Sequence, residues 1–153
     1  MVHAFWAAEA CPMNAYDYTD SQETTATDRS LPHALNQQWC DAFNAGDLPA
    51  LMATYEHDAV IVPGPGAEPL QGHDAIETAL GWFLGLGGKL RFTPRYWLVR
   101  GDVALASIAF TMDGGTDPDG NAVDLHGITA EVLHRQADGT WKYLIDHPFG
   151  GSC

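Results

Sequence analysis

The chain has 153 residues, 46% of them hydrophobic, with 7 Lys and Arg against 20 Asp and Glu and a formal net charge of −13. That length suits one domain with a substantial core, and an acidic balance with no basic cluster excludes nucleic acid and anionic membrane surfaces as partners. No apolar run reaches the length of a bilayer span, and no basic segment precedes an apolar one at the amino terminus, so a soluble, cytoplasmic protein is expected. Cys11, Cys40 and Cys153 are odd in number and widely spaced, which provides neither a disulfide framework nor a CxxC metal site.

Residues 1–30 include MNAYDYTDSQETTATDRS, polar and without helical or strand periodicity, and read as a partly flexible arm ahead of a domain over 31–150. A first helix is predicted from Ser30, a cap ahead of Leu31 and Pro32, to Asn44, with Leu35, Trp39, Ala42 and Phe43 on one face and Gly46 as its stop. Asp47 then caps a short helix, LPALMATY, that turns Leu48, Leu51, Met52 and Tyr55 inward. AVIVP follows as a β-branched strand, and PGPGAEP as a rigid loop whose prolines keep it out of any ladder. A third helix is predicted from His73 to Leu86, carrying Ile76, Leu80, Trp82, Phe83 and Leu86. Strands are expected over 90–99, 102–113 and 121–135, with a last one from Thr140. Three helices followed by an antiparallel meander make an α+β domain.

The last two strands carry the chemistry. Apolar runs flank Asp138-Gly139, a pair suited to a hairpin turn. A two-residue loop there sets Leu133 against Leu144, Val132 against Ile145 and Glu131 against Asp146, so that two carboxylates share one face. Acids placed together in a low-dielectric site cannot easily both ionise. A three-residue turn with a bulge at Gly139 instead sets Ile145 against Glu131 and brings His147 to its face. Both registers stay open, as does a solvated sheet margin where the acids carry no strain.

The helix and strand order, with AFNAGDLPALMATYEHDAVIVPGPG leading to LQGHDAIETAL and then ADGTWKYLIDHP, resembles the nuclear transport factor 2-like superfamily, specifically its SnoaL-like and ketosteroid isomerase-like members. The resemblance covers residues 31–149. It implies a cystatin-like cone, with three N-terminal helices packed on a strongly curved mixed or antiparallel sheet, an internal apolar cavity, and a homodimer through the outer sheet face. It also implies that Pro63 stands where the steroid isomerases place their catalytic aspartate, and that Trp39 stands at an oxyanion-hole tyrosine. Proline moves no proton and an indole is no acid, so a classical 3-oxosteroid isomerase is not expected. Glu131 matches the second oxyanion donor, an acid of the kind that an apolar site keeps neutral.

These features predict a protein that holds a small hydrophobic or polycyclic molecule, with isomerase, cyclase or hydrolase chemistry carried by Glu131 and Asp146 as acid and base, and His147 as the substitute base. Trp39, Phe43, Tyr55, Trp82, Phe83, Met112 and His126 are the candidate ligand-binding residues, although most could equally be plain core. The alternative is a non-catalytic ligand-binding or protein-association module of the same fold. Seven histidines invite a metal, but His57, His73, His126, His134 and His147 have no HExxH-like spacing, so neither a metal nor another cofactor is expected.

Overall fold

Pro32 opens the first helix, α1 (Pro32–Ala45), in a computed structural model that describes residues 30–152. The arm expected before residue 30, Cys11 and Cys153 lie outside the described residues. Leu31, not Ser30, is the N-cap: its backbone is extended (φ −104°, ψ 139°) and it provides no side-chain cap bond. Proline at the first helical position lacks an N–H that would have no partner within the helix, and its fixed φ suits the helix start. The Ser30 carbonyl instead accepts the Trp141 indole N–H at 2.9 Å.

Asp47 caps α2 (Leu48–Met52) as the sequence predicts, its carboxylate accepting the Ala50 N–H at 2.9 Å. This helix is shorter than expected because Tyr55, fully buried, already belongs to β1 (Tyr55–Ile61). The Pro-Gly loop ends in a two-residue strand, β2 (Leu70–Gln71), before α3 (His73–Gly85). Then come β3 (Lys89–Arg100), β4 (Val103–Thr116), β5 (Ala122–Ile128), β6 (Ala130–Arg135) and β7 (Trp141–His147).

The sheet runs β2-β1-β7-β6-β4-β3, with β5 pairing the far half of β4. It is mixed rather than a pure meander, because β1 and β7 pair in parallel. The single strand expected over 121–135 is broken at Thr129. There the Thr129 hydroxyl accepts the Ile108 N–H at 2.9 Å, and its carbonyl accepts the Ser107 hydroxyl at 2.7 Å. β4 thereby passes from β6, at Val103 to Ala106, to β5, at Ala109 to Thr116. Register shifts at Pro94/Tyr96, Met112/Gly115 and Val132/Leu133 add further bends. The result is a strongly curved sheet wrapped round the helices.

The last hairpin corrects the two-residue turn. Arg135 pairs with Trp141, Gln136 donates to the Thr140 carbonyl at 2.7 Å, and Gly139 takes φ +88°, so the loop has the three-residue form that needs a left-handed glycine. Leu133 consequently faces Tyr143 rather than Leu144. The register then slips once more: Leu144 has no partner, and beyond it Val132 faces Ile145 and Glu131 faces Asp146.

Candidate active site

Two buried carboxyls form the floor of the cone. Glu131, from β6, is 3% exposed and Asp146, from β7, is 5% exposed. The unpaired Leu144 changes the phase of β7, so that Tyr143 and Asp146 both turn inward while Ile145 turns out. Each acid has its own retinue. Tyr55, at the start of β1, donates its hydroxyl to Asp146 Oδ2 at 2.6 Å and accepts the Trp39 indole N–H at 2.9 Å. Asn36, on α1, donates through Nδ2 to Glu131 Oε2 at 2.8 Å and to the Tyr143 hydroxyl oxygen at 2.7 Å, while its Oδ1 accepts the Trp97 indole N–H at 2.8 Å.

This setting holds protons on the acids. Burial, and then the Asp146 charge opposite, push the Glu131 carboxyl up to about 8, against the pull of hydrogen bonds from Asn36 and Thr129. Burial pushes Asp146 up to about 6, with the Tyr55 hydroxyl restraining it. Burial raises both Tyr55 and Tyr143 well above the usual phenol range. The two carboxyls therefore titrate as a pair, both pushed above the ordinary carboxylate range by burial.

Above this floor lies an apolar hollow of about 60 Å³. That is room for a few waters, since one water needs about 10–15 Å³. Trp39, Phe43, Phe83 and Met112, four of the predicted ligand-binding residues, line it, and among the described residues neither lysine nor arginine does. Trp39 stacks between Phe43 and Phe92, and Phe149 meets Phe110 edge to face at 5.5 Å. Gly127 permits this last contact, since a Cβ there would come within 3 Å of both rings.

Other predicted site residues lie elsewhere. Tyr55 sits below the floor, touching Asp146 rather than the hollow. Trp82 is 55% exposed, because it lies two residues past buried Leu80, about 200° round the helix. His126 is exposed for the corresponding reason in a strand: its neighbour Leu125 points inward and lines the hollow in its place. His147 follows Asp146 and takes the opposite side of the pleat, with its ring packed against Gly150. Among the described residues its Nδ1 is buried without a hydrogen-bond partner. Pro63 lies past the end of β1 and does not line the hollow. Among the described residues no cluster of His, Cys, Asp or Glu is arranged to hold a metal, and no helix is long and apolar enough to cross a membrane.

The model of the SnoaL-like domain matches residues 36–144 of this chain, the span that contains every residue of the floor except Asp146. The chain belongs to the SnoaL-like family. Solved structures share the fold of this SnoaL-like domain. A ketosteroid isomerase-like protein from Erwinia carotovora atroseptica is 25% identical with a TM-score of 0.62, over 75% of this chain and 89% of its own. An NTF2-like protein of unknown function from Shewanella oneidensis is 18% identical with a TM-score of 0.60, over 74% and 91%. A conserved protein from Planctomyces limnophilus is 19% identical with a TM-score of 0.65, over 76% and 91%. Comparison with curated proteins finds no match.

Sequence reasoning missed Asn36, Tyr143 and Trp97 as parts of the SnoaL-like floor. A signal for Asn36 exists: it stands three residues before Trp39 and seven before Phe43, a polar residue inside the apolar stripe of α1. Tyr143 alternates with buried Trp141, which marks it as inward. Nothing local in the sequence joins Trp97 to Asn36, 61 positions away.

Proposed function

We propose that this SnoaL-like domain is an enzyme for a small, hydrophobic, oxygen-bearing molecule, with Asp146 as general base and Glu131 as general acid. The observation that carries the reading is the opposition of two buried carboxyls at the floor of an apolar hollow, without a cationic partner among the described residues. One carboxyl of unequal proton affinity accepts while the other donates, which is the requirement for isomerisation, ring closure or hydrolysis. Asp146 takes a proton from a substrate C–H or from a water. The electrons move onto the substrate oxygen, and Glu131 supplies a proton to that oxygen or to a leaving group. In an isomerisation Asp146 returns its proton to a second carbon while Glu131 recovers its own from the oxygen; in a hydrolysis a proton passed from Asp146 to Glu131 restores the starting state. The 60 Å³ hollow favours a compact substrate over the polycyclic one that the resemblance suggests.

The test is exchange chemistry. Small apolar ketones, enones and lactones are incubated with the protein in D2O and followed by NMR for deuterium incorporation, rearrangement or hydrolysis. Turnover should fall by about 100-fold or more in both Glu131→Gln and Asp146→Asn. Rates unchanged in both variants remove the pair from the chemistry. Binding without exchange assigns the hollow to ligand binding alone.

A second copy of the chain is the proposed partner on the outer sheet face. Leu98 (61% exposed), Leu105 (42%) and Ile145 (40%) lie there in one cross-strand row, linked by the pairs Leu98 with Leu105, Leu105 with Val132, and Val132 with Ile145. A contiguous aliphatic row of this kind is what an isologous interface buries.

A further inference from the structure

We infer that Trp97, which does not line the hollow, orients the site: through Asn36 it keeps the Glu131 proton off Oε2 and turns the Tyr143 hydroxyl proton away from the amide. The inference rests on the acid and base reading above and deepens it, assigning positioning roles to Trp97 and Asn36.

The argument is an inventory of donors and acceptors. An indole N–H only donates, so the atom of Asn36 facing Trp97 at 2.8 Å must be its carbonyl oxygen. The amide orientation is thereby determined, and turning it over would set N–H against N–H. Both hydrogens of Nδ2 then point the other way, one to Glu131 Oε2 and one to the Tyr143 oxygen. Oε2 is occupied as an acceptor, so the acid proton belongs on Oε1. The Tyr143 oxygen is likewise occupied by an incoming N–H, so its own proton must leave in another direction, and among the described residues it donates to none. Both Glu131 and Tyr143 line the hollow. One amide thus keeps the Glu131 proton off Oε2 and turns the Tyr143 O–H away from itself; since the Thr129 side chain also bonds the Glu131 carboxyl, the Tyr143 O–H is the donor left for a ligand's acceptor oxygen, a carbonyl or an enolate. The reversed amide would present Oδ1 to both hydroxyls and draw their protons away.

The same contact biases the Glu131 charge. The groups that act on it are Asp146 from β7, Asn36 from α1 and Thr129 between β5 and β6, with Tyr143 and Tyr55 in the same cluster. Asn36 is a donor that favours the ionised carboxyl, so losing its orientation raises the proton affinity of Glu131.

The test is the titration of the Glu131 side-chain carboxyl, read by 13C NMR in the intact protein. Trp97→Phe keeps the ring but removes the N–H, and should move the Glu131 midpoint upward by about one pH unit, the worth of one hydrogen bond to a charged group. Asn36→Leu should do the same, and adding Trp97→Phe to it should change nothing more, because the indole acts only through the amide. His33→Ala removes the ring that packs edge-on against Trp97 at 5.7 Å but leaves the N–H, and should leave the midpoint in place. An unmoved midpoint in folded Trp97→Phe overturns the inference, and so does a Trp97 effect that persists without Asn36. Since the titration needs no substrate, a missing turnover with these shifts intact counts against the catalytic reading alone.

Discussion

Glu131 and Asp146 stand opposite each other because Leu144, two residues before Asp146, has no partner in β6. Carried on from the three-residue turn without that slip, the ladder would set Ile145 against Glu131 and send Asp146 to the outer face. An apolar residue would suit the hollow better on packing grounds alone. The bulge instead brings a second acid under the aromatic walls, and its presence has measurable consequences.

Stability should fall as pH rises. Both carboxyls are pushed above their ordinary range, to about 8 and about 6, so between about pH 4 and those values the folded chain binds more protons than the unfolded chain. Their contribution is full below about pH 4 and is lost as each ionises in the folded state. Urea unfolding should give a higher midpoint at pH 5 than at pH 8. The net charge of −13 acts in the same direction, so the deciding comparison is Glu131→Gln. This variant should flatten the profile and gain roughly 1–2 kcal/mol at pH 8. Equal slopes in the two proteins would contradict the assignment.

Tyr55→Phe should raise the proton affinity of Asp146, because the hydroxyl at 2.6 Å is the group that restrains it. The same change strips the acceptor from the Trp39 indole N–H and should cost about 1–3 kcal/mol. Carboxyl 13C titration and urea unfolding read the two effects separately. An Asp146 midpoint that falls or stays put would show that the Tyr55 hydroxyl does not hold the charge.

Leu125 and His126 are adjacent, yet their replacement by alanine should have different consequences. Leu125→Ala opens the hollow wall and should cost about 1–3 kcal/mol, whereas His126→Ala should stay within about 0.5 kcal/mol. Thermal or urea unfolding of the two variants checks the phase of β5. Similar costs would mean that the strand does not alternate as described.

The proposed outer-face dimer is tested by charge. Leu98→Glu with Leu105→Glu places two like charges directly opposite each other in the aliphatic row of each copy. In sedimentation velocity the parent chain should run as a dimer and the variant as a monomer. A parent that is monomeric at every concentration removes the second copy from this face.

Much of the architecture was legible because its signals are local. Asp47 could be read as a cap three residues ahead of the Ala50 N–H that it serves, and Ile76, Leu80 and Phe83 mark the inward side of α3 by their spacing. The motifs in order identified the family, and the opposition of Glu131 to Asp146 was among the registers that the turn allowed. The turn type and the pairing could not both be right in a regular hairpin, and the bulge at Leu144 reconciles them.

Residue order alone thus settled the helices and most strand positions, and narrowed the partner of Glu131 to Asp146 or His147, since caps, turns and periodicity act over a few residues. Only the folded chain decided that β1 runs parallel to β7, that Thr129 splits one strand into two, and that Trp97 and Asn36 meet across 61 positions to hold Glu131. Those outcomes depend on which distant groups a curved sheet brings together and on every buried donor finding an acceptor, a condition that no short stretch of sequence can express.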